Sequence, residues 1–160
     1  MSGIIGLSTN MRSGVVGQKV NNRPAFSAYL PDQVTTADGS TYLVGSNETW
    51  TEIYDSNNKF DAGAGVFTPS FAGYYFLYFG FRMQTGNTAN RLAAQIYKNT
   101  VQAASQEMEV AKDVSASYAG VNISSVIYLD SGDTCEAHVY QSSGGSKVSY
   151  DFNFHGFRVA

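Results

Sequence analysis

The chain has 160 residues, a length that suits one domain with a single sizeable core, and only 14% of them are charged, against roughly 25% in an average soluble domain. With 13 acidic and 10 basic residues the net charge is −3, so no basic surface can neutralise phosphates, and nucleic-acid binding is excluded. A single cysteine and two histidines exclude a disulfide scaffold and a zinc cluster, and the sequence contains no apolar run that predicts a membrane span or a signal peptide.

Residues 1–24 differ in composition from the rest of the chain, and we expect them to form an extended arm. Two similar apolar segments, Gly3-Ile4-Ile5-Gly6 and Gly14-Val15-Val16-Gly17, are separated by polar residues, and neither has a helical period. At about 3.3 Å per residue, twenty extended residues reach roughly 65 Å, far enough to lie across a neighbouring subunit. The side chains expected to anchor the arm are Ile4, Ile5, Val15 and Val16. A floppy terminus is the alternative.

From Pro24 onward the sequence alternates short β-type runs with turn residues, which predicts an all-β domain over residues 25–160. Strands are expected at 26–30, 49–54, 74–83, 92–97, 121–129 and 134–141. The run 134–141 follows a turn cluster and is expected to pair with 121–129 as a hairpin. Many short strands with turns between them indicate a two-sheet sandwich or a jelly roll.

The last predicted strand contains a change of parity. Its expected apolar face carries Val148, Tyr150, Phe152 and Phe154. Phe157 has the opposite parity, so a bulge near Gly156 is expected to redirect the end of the strand.

The strand expected at 74–83 is apolar on both faces. One face carries Tyr75, Leu77, Phe79, Phe81 and Met83, and the other carries Tyr74, Phe76, Tyr78 and Gly80. An antiparallel strand of a monomeric sandwich normally has one solvated face, so a second subunit is expected to cover the other face. Tyrosine suits such a contact, because its ring is buried while its hydroxyl still bonds a partner or a water. The alternative is a thick core built from poorly alternating strands.

The spacing of aromatic residues along the central strands resembles the C1q branch of the C1q/TNF-like jelly-roll family. The matching positions are Asp55, Phe60, Phe67, Gly73, Tyr75 and Phe79, and the closing Phe-x-Gly-Phe of the family is matched by Phe154, Gly156 and Phe157. The resemblance covers about residues 26–160. It implies a sandwich of about ten antiparallel strands that assembles as a compact trimer. The side chains expected near the trimer axis are Tyr74, Phe76, Tyr78, Tyr128 and Tyr140.

The first seventeen residues resemble the short Gly/Ile/Val leaders of tailed-phage structural proteins. Together with the low charge and the missing signal sequence, this resemblance favours a virion component. Gly-X-Y triplets, which form the collagen stalk of secreted C1q proteins, are absent, so a complement role is not expected. The hypothesis is a trimeric bacteriophage capsid decoration or cement protein, whose arm binds other virion proteins such as the major capsid protein.

The alternative function is a recognition head, either the tip of a phage fibre or a secreted C1q-like module that binds a receptor or a glycan. A fibre tip is expected to follow a long shaft of repeats, whereas only about two dozen residues precede the β domain in this sequence. The length of the arm therefore favours the decoration hypothesis.

No catalytic motif is found, so an enzyme is not predicted. His138 and His155 are the only histidines that could act as a base, and structural or interface roles are expected for both. Cys135 is expected to be a small buried apolar residue.

No cofactor is predicted. C1q-like trimers often bind calcium near their apex, which makes calcium the alternative, and the nearest carboxylate pairs are Asp130 with Asp133 and Glu107 with Glu109. The sequence has no Asp-x-Asp-x-Asp loop in support of a calcium site.

Overall fold

The computed structural model describes residues 24–84, 90–110 and 118–159, so the predicted arm with Ile4, Ile5, Val15 and Val16 lies outside the described residues. The described chain forms twelve strands: β1 (Ala25–Leu30), β2 (Val34–Thr36), β3 (Ser40–Leu43), β4 (Thr51–Asp55), β5 (Phe60–Asp61), β6 (Val66–Phe67), β7 (Gly73–Gln84), β8 (Asn90–Lys98), β9 (Val101–Val110), β10 (Tyr118–Leu129), β11 (Cys135–Ser142) and β12 (Lys147–Arg158). Over these ranges no helix is long and apolar enough to cross a membrane. The prediction of an all-β domain is confirmed, and the domain boundary near residue 24 stays a prediction.

The strands form two antiparallel sheets that enclose one core. We call the sheet with the order β10-β7-β12-β1-β4 the front sheet, and in it β2 also pairs with β12. The back sheet has the order β5-β6-β11-β8-β9, and in it β3 also pairs with β11. Each sheet turns one face of alternating apolar side chains toward the other, which gives the predicted two-sheet sandwich.

Aromatic rings fill one end of the core. The Phe26 ring lies 4.9 Å from that of Phe60 and 4.5 Å from that of Phe67, and its edge contact with Phe154 spans 4.9 Å. Trp50 closes the cluster with its ring edge against Phe60. Each such side chain contributes about 1.5–3 kcal/mol by burial, so the cluster is a principal source of stability.

The strands on either side of residues 130–134 do not form the expected hairpin. β10 pairs with β7 in the front sheet, whereas β11 pairs with β3, β6 and β8 in the back sheet. The connecting turn is bonded to the back sheet: Asn99 Oδ1 accepts a hydrogen bond from the Thr134 N–H at 2.8 Å, and Lys98 Nζ lies 2.7 Å from Asp133 Oδ2. The hairpin prediction is wrong, because these long-range bonds hold the start of β11 in the back sheet, whereas β10 lies in the front sheet.

The same turn makes stability depend on pH. Hydrogen bonds from Lys98, from Asn99 and from the Asp130 backbone lower the pKa of Asp133 to about 2. Since this folded pKa lies below the unfolded value of about 3.9, the stabilisation is complete above about pH 4 and is lost as the pH falls through about 2. We expect Asp133→Asn to lower the free energy of unfolding by roughly 1 kcal/mol at neutral pH, and by almost nothing below about pH 2. Urea unfolding of both proteins at the two pH values measures this, and an equal loss at both would contradict it.

β12 changes parity at Asp151 and not at Gly156. Its pairing with β7 shifts register between Tyr150 and Asn153, and Asp151 has a φ of 55°, a left-handed conformation that aspartate tolerates better than most residues. Before the bulge Ser149 points inward and is buried, and its neighbours Val148 and Tyr150 are half-buried on the other side. After the bulge Phe152 and Phe154 point inward and are buried. The prediction that the four apolar residues share one face is wrong, because the extra residue at the bulge reverses the alternation.

Gly156 lies where β12 passes closest to the core aromatics. A Cβ at this position would be 2.6 Å from the Phe26 ring and 2.7 Å from a Leu77 methyl group. We expect Gly156→Ala to lower the free energy of unfolding by about 1–3 kcal/mol through overpacking. Gly145→Ala is the matched control, since a Cβ there would meet nothing within 4 Å. The urea concentrations at which the two variants are half unfolded test this prediction. Equal midpoints would contradict the tight packing of Gly156 against Phe26 and Leu77.

Candidate functional site

The outer side of the front sheet carries a row of large apolar side chains that are exposed or half-buried. We call it the aromatic face, and it consists of Tyr74, Phe76 and Tyr78 on β7, Val126 and Tyr128 on β10, and Phe157 on β12. On the opposite side of β7 the core residues Tyr75, Leu77, Phe79 and Met83 are each 0% exposed. The predicted division of this strand into two apolar faces is therefore confirmed.

Ring contacts between neighbouring strands make the aromatic face continuous. Tyr74 and Tyr128 are register partners whose rings meet edge to face at 5.3 Å, and Phe76 lies 5.2 Å from Phe157. Tyr74 is 53% exposed, Val126 55% and Phe157 48%, although each is a large apolar residue. Water covers these side chains in the isolated chain, so their burial against a partner is a source of binding free energy.

A polar pair lies at the centre of the front sheet, beside the aromatic face. The His155 ring stacks on Tyr78 at 5.7 Å, and its Nδ1 lies 2.9 Å from Ser27 Oγ on β1. Burial lowers the pKa of His155, which favours the neutral imidazole. A serine nucleophile needs a histidine that a third group orients, and along the described ranges no carboxylate bonds His155. The pair therefore lacks the third member of a triad in this part of the chain.

His138 lies on the back sheet, outside the aromatic face. Its Nε2 is 3.1 Å from Glu136 Oε2, and its ring stacks on Tyr97 at 3.9 Å. Burial lowers the pKa of His138, and its Nδ1 has no hydrogen-bond partner among the residues that the structure describes. Among the described residues no nucleophile lies at that atom, so the Glu136–His138 pair does not form a nucleophile–base pair with them.

Cys135 and the carboxylates offer no reactive or metal-binding cluster in the described ranges. Cys135 is fully buried, and this burial raises the pKa of its thiol to about 12, so it is unreactive in the folded protein. Within residues 24–84, 90–110 and 118–159, no three of the histidine, cysteine, aspartate and glutamate side chains are grouped to hold a metal ion. Calcium stays the untested alternative to the prediction that no cofactor is bound.

Tyr140 does not belong to the aromatic face. It lies on β11 in the back sheet, where its register partners are Ala93 and Thr41 and the Arg91 guanidinium sits 5.9 Å from its ring centroid. The other four residues expected near the trimer axis, Tyr74, Phe76, Tyr78 and Tyr128, lie together on the front sheet. The grouping of Tyr140 with them is corrected, because it depended on the hairpin that the structure does not form.

No model of a known protein family matches the sequence, and no curated protein matches it. Solved structures are similar to the chain in fold. The globular domain of zebrafish complement 1qA protein has a TM-score of 0.56 at 20% identity, over 86% of this chain and 98% of that chain. Eiger TNF from S. frugiperda has a TM-score of 0.59 at 10% identity, over 86% and 94% of the two chains. Murine APRIL at pH 5.0 has a TM-score of 0.60 at 12% identity, over 86% and 99%. The chain has the C1q/TNF-like jelly-roll fold.

Most of the sequence positions that resemble the C1q branch are structural in this C1q/TNF-like jelly roll. The core contains Phe60, Phe67, Tyr75, Phe79 and Phe154, and the backbone at Gly73 and Gly156 is buried. Asp55 is half-buried, and its carboxylate accepts hydrogen bonds from the N–H groups of Asn57, Lys59 and Phe60, which closes the turn after β4. Phe157 differs from these, because the regular alternation after Gly156 places it on the aromatic face.

Proposed function

We propose that the chain assembles as a homotrimer and that the aromatic face is its subunit interface. The observation that carries this proposal is the exposure of neighbouring large apolar side chains on one sheet surface, with Tyr74 at 53% and Tyr128 at 45%. Contiguous apolar patches of this kind are uncommon on monomeric proteins and mark contact surfaces. The resemblance to the C1q branch implies a compact trimer as well, and tyrosine and phenylalanine are enriched at the centres of such interfaces.

We further propose that the trimer is a structural protein of a bacteriophage virion, a decoration or cement protein on the capsid. The support is the resemblance of residues 1–17 to the leaders of tailed-phage structural proteins. In this proposal Ile4, Ile5, Val15 and Val16 anchor the arm on another virion protein, such as the major capsid protein. The domain supplies the bulk of the trimer, and no catalytic step is proposed for it.

Quantitative mass spectrometry of purified particles of the encoding phage tests the virion role. We expect a copy number of the same order as that of the major shell protein. A few copies per particle would overturn the decoration role and favour the fibre-tip reading. Absence from the particle would overturn the virion role and favour a secreted recognition head.

A further inference from the structure

His155 is a titratable residue that lies among the outward apolar side chains of the front sheet. Its ring stacks on Tyr78 of the aromatic face at 5.7 Å, and on β12 it has the same parity as Phe157. One row of register partners across the sheet holds Ser124, Tyr78, His155, Ser27 and Tyr54. Because direct register partners share a face, His155 lies between the aromatic face and Tyr54.

Large exposed side chains continue past His155 to the edge of the sheet. Tyr29 on β1 is 40% exposed, and Tyr54 on β4 is 54% exposed. His155 itself is half-buried in the isolated chain. A subunit that packs on the aromatic face therefore covers His155 as well and removes water from its ring.

The hydrogen bonds of His155 suit a neutral ring. Its Nδ1 lies 2.9 Å from Ser27 Oγ, and among the described residues no group bonds its Nε2. A charged imidazolium donates from both nitrogens, so its Nε2–H needs an acceptor. Water supplies that acceptor in the isolated chain, and a subunit contact takes this water away.

The titratable groups next to His155 on the outer side of the sheet are phenols. Tyr78 lies on β7, Tyr29 on β1 and Tyr54 on β4. Phenols carry no charge near neutral pH, so they do not balance an imidazolium. As the structure describes them, β1 and β10 contain no charged residue.

The charged residues of the other front-sheet strands lie away from His155. Four of them pair with residues whose side chains are buried in the core, which places them on the opposite side of the sheet: Glu52, Asp55, Lys147 and Arg158. Arg82 and Asp151 lie at the bulge of β12 and form an ion pair with each other. Arg82 is four residues from Tyr78 along β7, roughly 13 Å at about 3.3 Å per residue. In the described ranges no carboxylate of these strands is therefore placed to stabilise a charged His155.

We propose that His155 makes the assembly of the trimer depend on pH, so that the trimer forms with neutral His155 and dissociates when the ring is protonated. This inference rests on the proposed subunit interface and assigns it a regulatory group. It does not depend on the virion role.

The direction of the effect follows from the solvation of the ring. Burial already lowers the pKa of His155 in the isolated chain, and a covering subunit lowers it further, because each step removes water from the charged form. Since the pKa is lower in the trimer than in the free chain, the trimer is most stable above about pH 6.5 and weakens as the pH falls below that value. Each ring contributes up to about tenfold per pH unit, so three rings raise the dissociation constant of the trimer by up to about a thousandfold.

Sedimentation velocity of the full chain over a dilution series, at about pH 7.5 and at about pH 5, tests the proposal. The lower value stays above the ordinary range of carboxylates. We expect the protein concentration of half dissociation to be at least about tenfold higher at the lower pH, with the near-ultraviolet circular dichroism unchanged. An unchanged concentration would overturn the role of His155 and leave the interface intact, whereas a monomer at both pH values would refute the interface as well. Loss of the circular dichroism signal at the lower pH would assign the dissociation to unfolding and overturn the proposal.

Two matched substitutions identify the histidine that is responsible. His155→Gln keeps a side chain that can bond Ser27 and cannot be protonated, so this variant should be equally trimeric at both pH values. His138→Gln removes the other histidine, which lies on the back sheet, and should keep the pH dependence of the unsubstituted chain. If His138→Gln abolishes the pH dependence and His155→Gln does not, the proposal fails.

An NMR titration of the histidine rings gives a readout that does not depend on how the His155 variant folds. The pKa of His155 is measured in the full chain and in a Tyr128→Ala variant, which lacks an aromatic side chain of the interface. We expect the pKa to be lower in the trimeric chain by about one pH unit or more. An equal or higher pKa in the trimer would overturn the proposal.

Discussion

Replacing Tyr128 with alanine is expected to dissociate the trimer into monomers at micromolar concentration. The Tyr128 ring contacts Tyr74 at 5.3 Å at the exposed end of the aromatic face. An aromatic anchor of a subunit interface commonly contributes about 2 kcal/mol or more, and a trimer repeats the contact in every interface, so one substitution weakens all of them. Sedimentation velocity of the full chain and of the Tyr128→Ala variant measures the effect.

Tyr140→Ala is the matched control for this experiment. It removes the same side chain from the outer side of the back sheet, where the Arg91 guanidinium stacks on it. We expect this variant to remain trimeric. If Tyr140→Ala is monomeric and Tyr128→Ala stays trimeric, the subunit interface lies on the back sheet and not on the aromatic face. A monomeric unsubstituted chain would refute the trimer itself.

Deleting residues 2–20 is expected to leave the domain folded and trimeric but unable to stay on the particle. Burial of Ile4, Ile5, Val15 and Val16 contributes about 1.5–3 kcal/mol each, whereas ordering twenty backbone residues costs about 1–2 kcal/mol each. The four side chains therefore cannot hold the arm alone. Its backbone must also gain partners, as an added strand on a sheet edge would provide, and three arms per trimer add avidity.

Particle binding by the deleted and full-length proteins, measured by co-sedimentation with particles that lack the protein, tests this prediction. A second variant, with serine at positions 4, 5, 15 and 16, keeps the full length of the arm and removes only the four apolar side chains expected to anchor it. We expect this variant to bind particles as poorly as the deletion. Binding as tight as that of the full chain by either protein would contradict the anchoring role and favour a recognition head.

The side-chain alternation along the sequence supports the residues predicted for the trimer interface more directly than it supports the anchoring role of the arm. The two faces of β7 follow from an alternation of side chains that any extended strand has, so the sequence alone places Tyr74 and Tyr78 on one side and Tyr75 on the other. The arm lies outside the described residues, and its anchoring role stays a prediction.

What the sequence by itself determined is the all-β class, most of the strand positions and the inward residues of the central strands, because period-two alternation and turn chemistry are local properties of the chain. Only the tertiary structure decided that β11 crosses to the back sheet, which removes Tyr140 from the aromatic face, and that the bulge falls at Asp151, which leaves Phe157 on it. Those outcomes depend on hydrogen bonds between residues far apart in sequence, such as the bond between Asn99 and Thr134. The alternation of side chains within one strand does not specify which distant strand pairs with it.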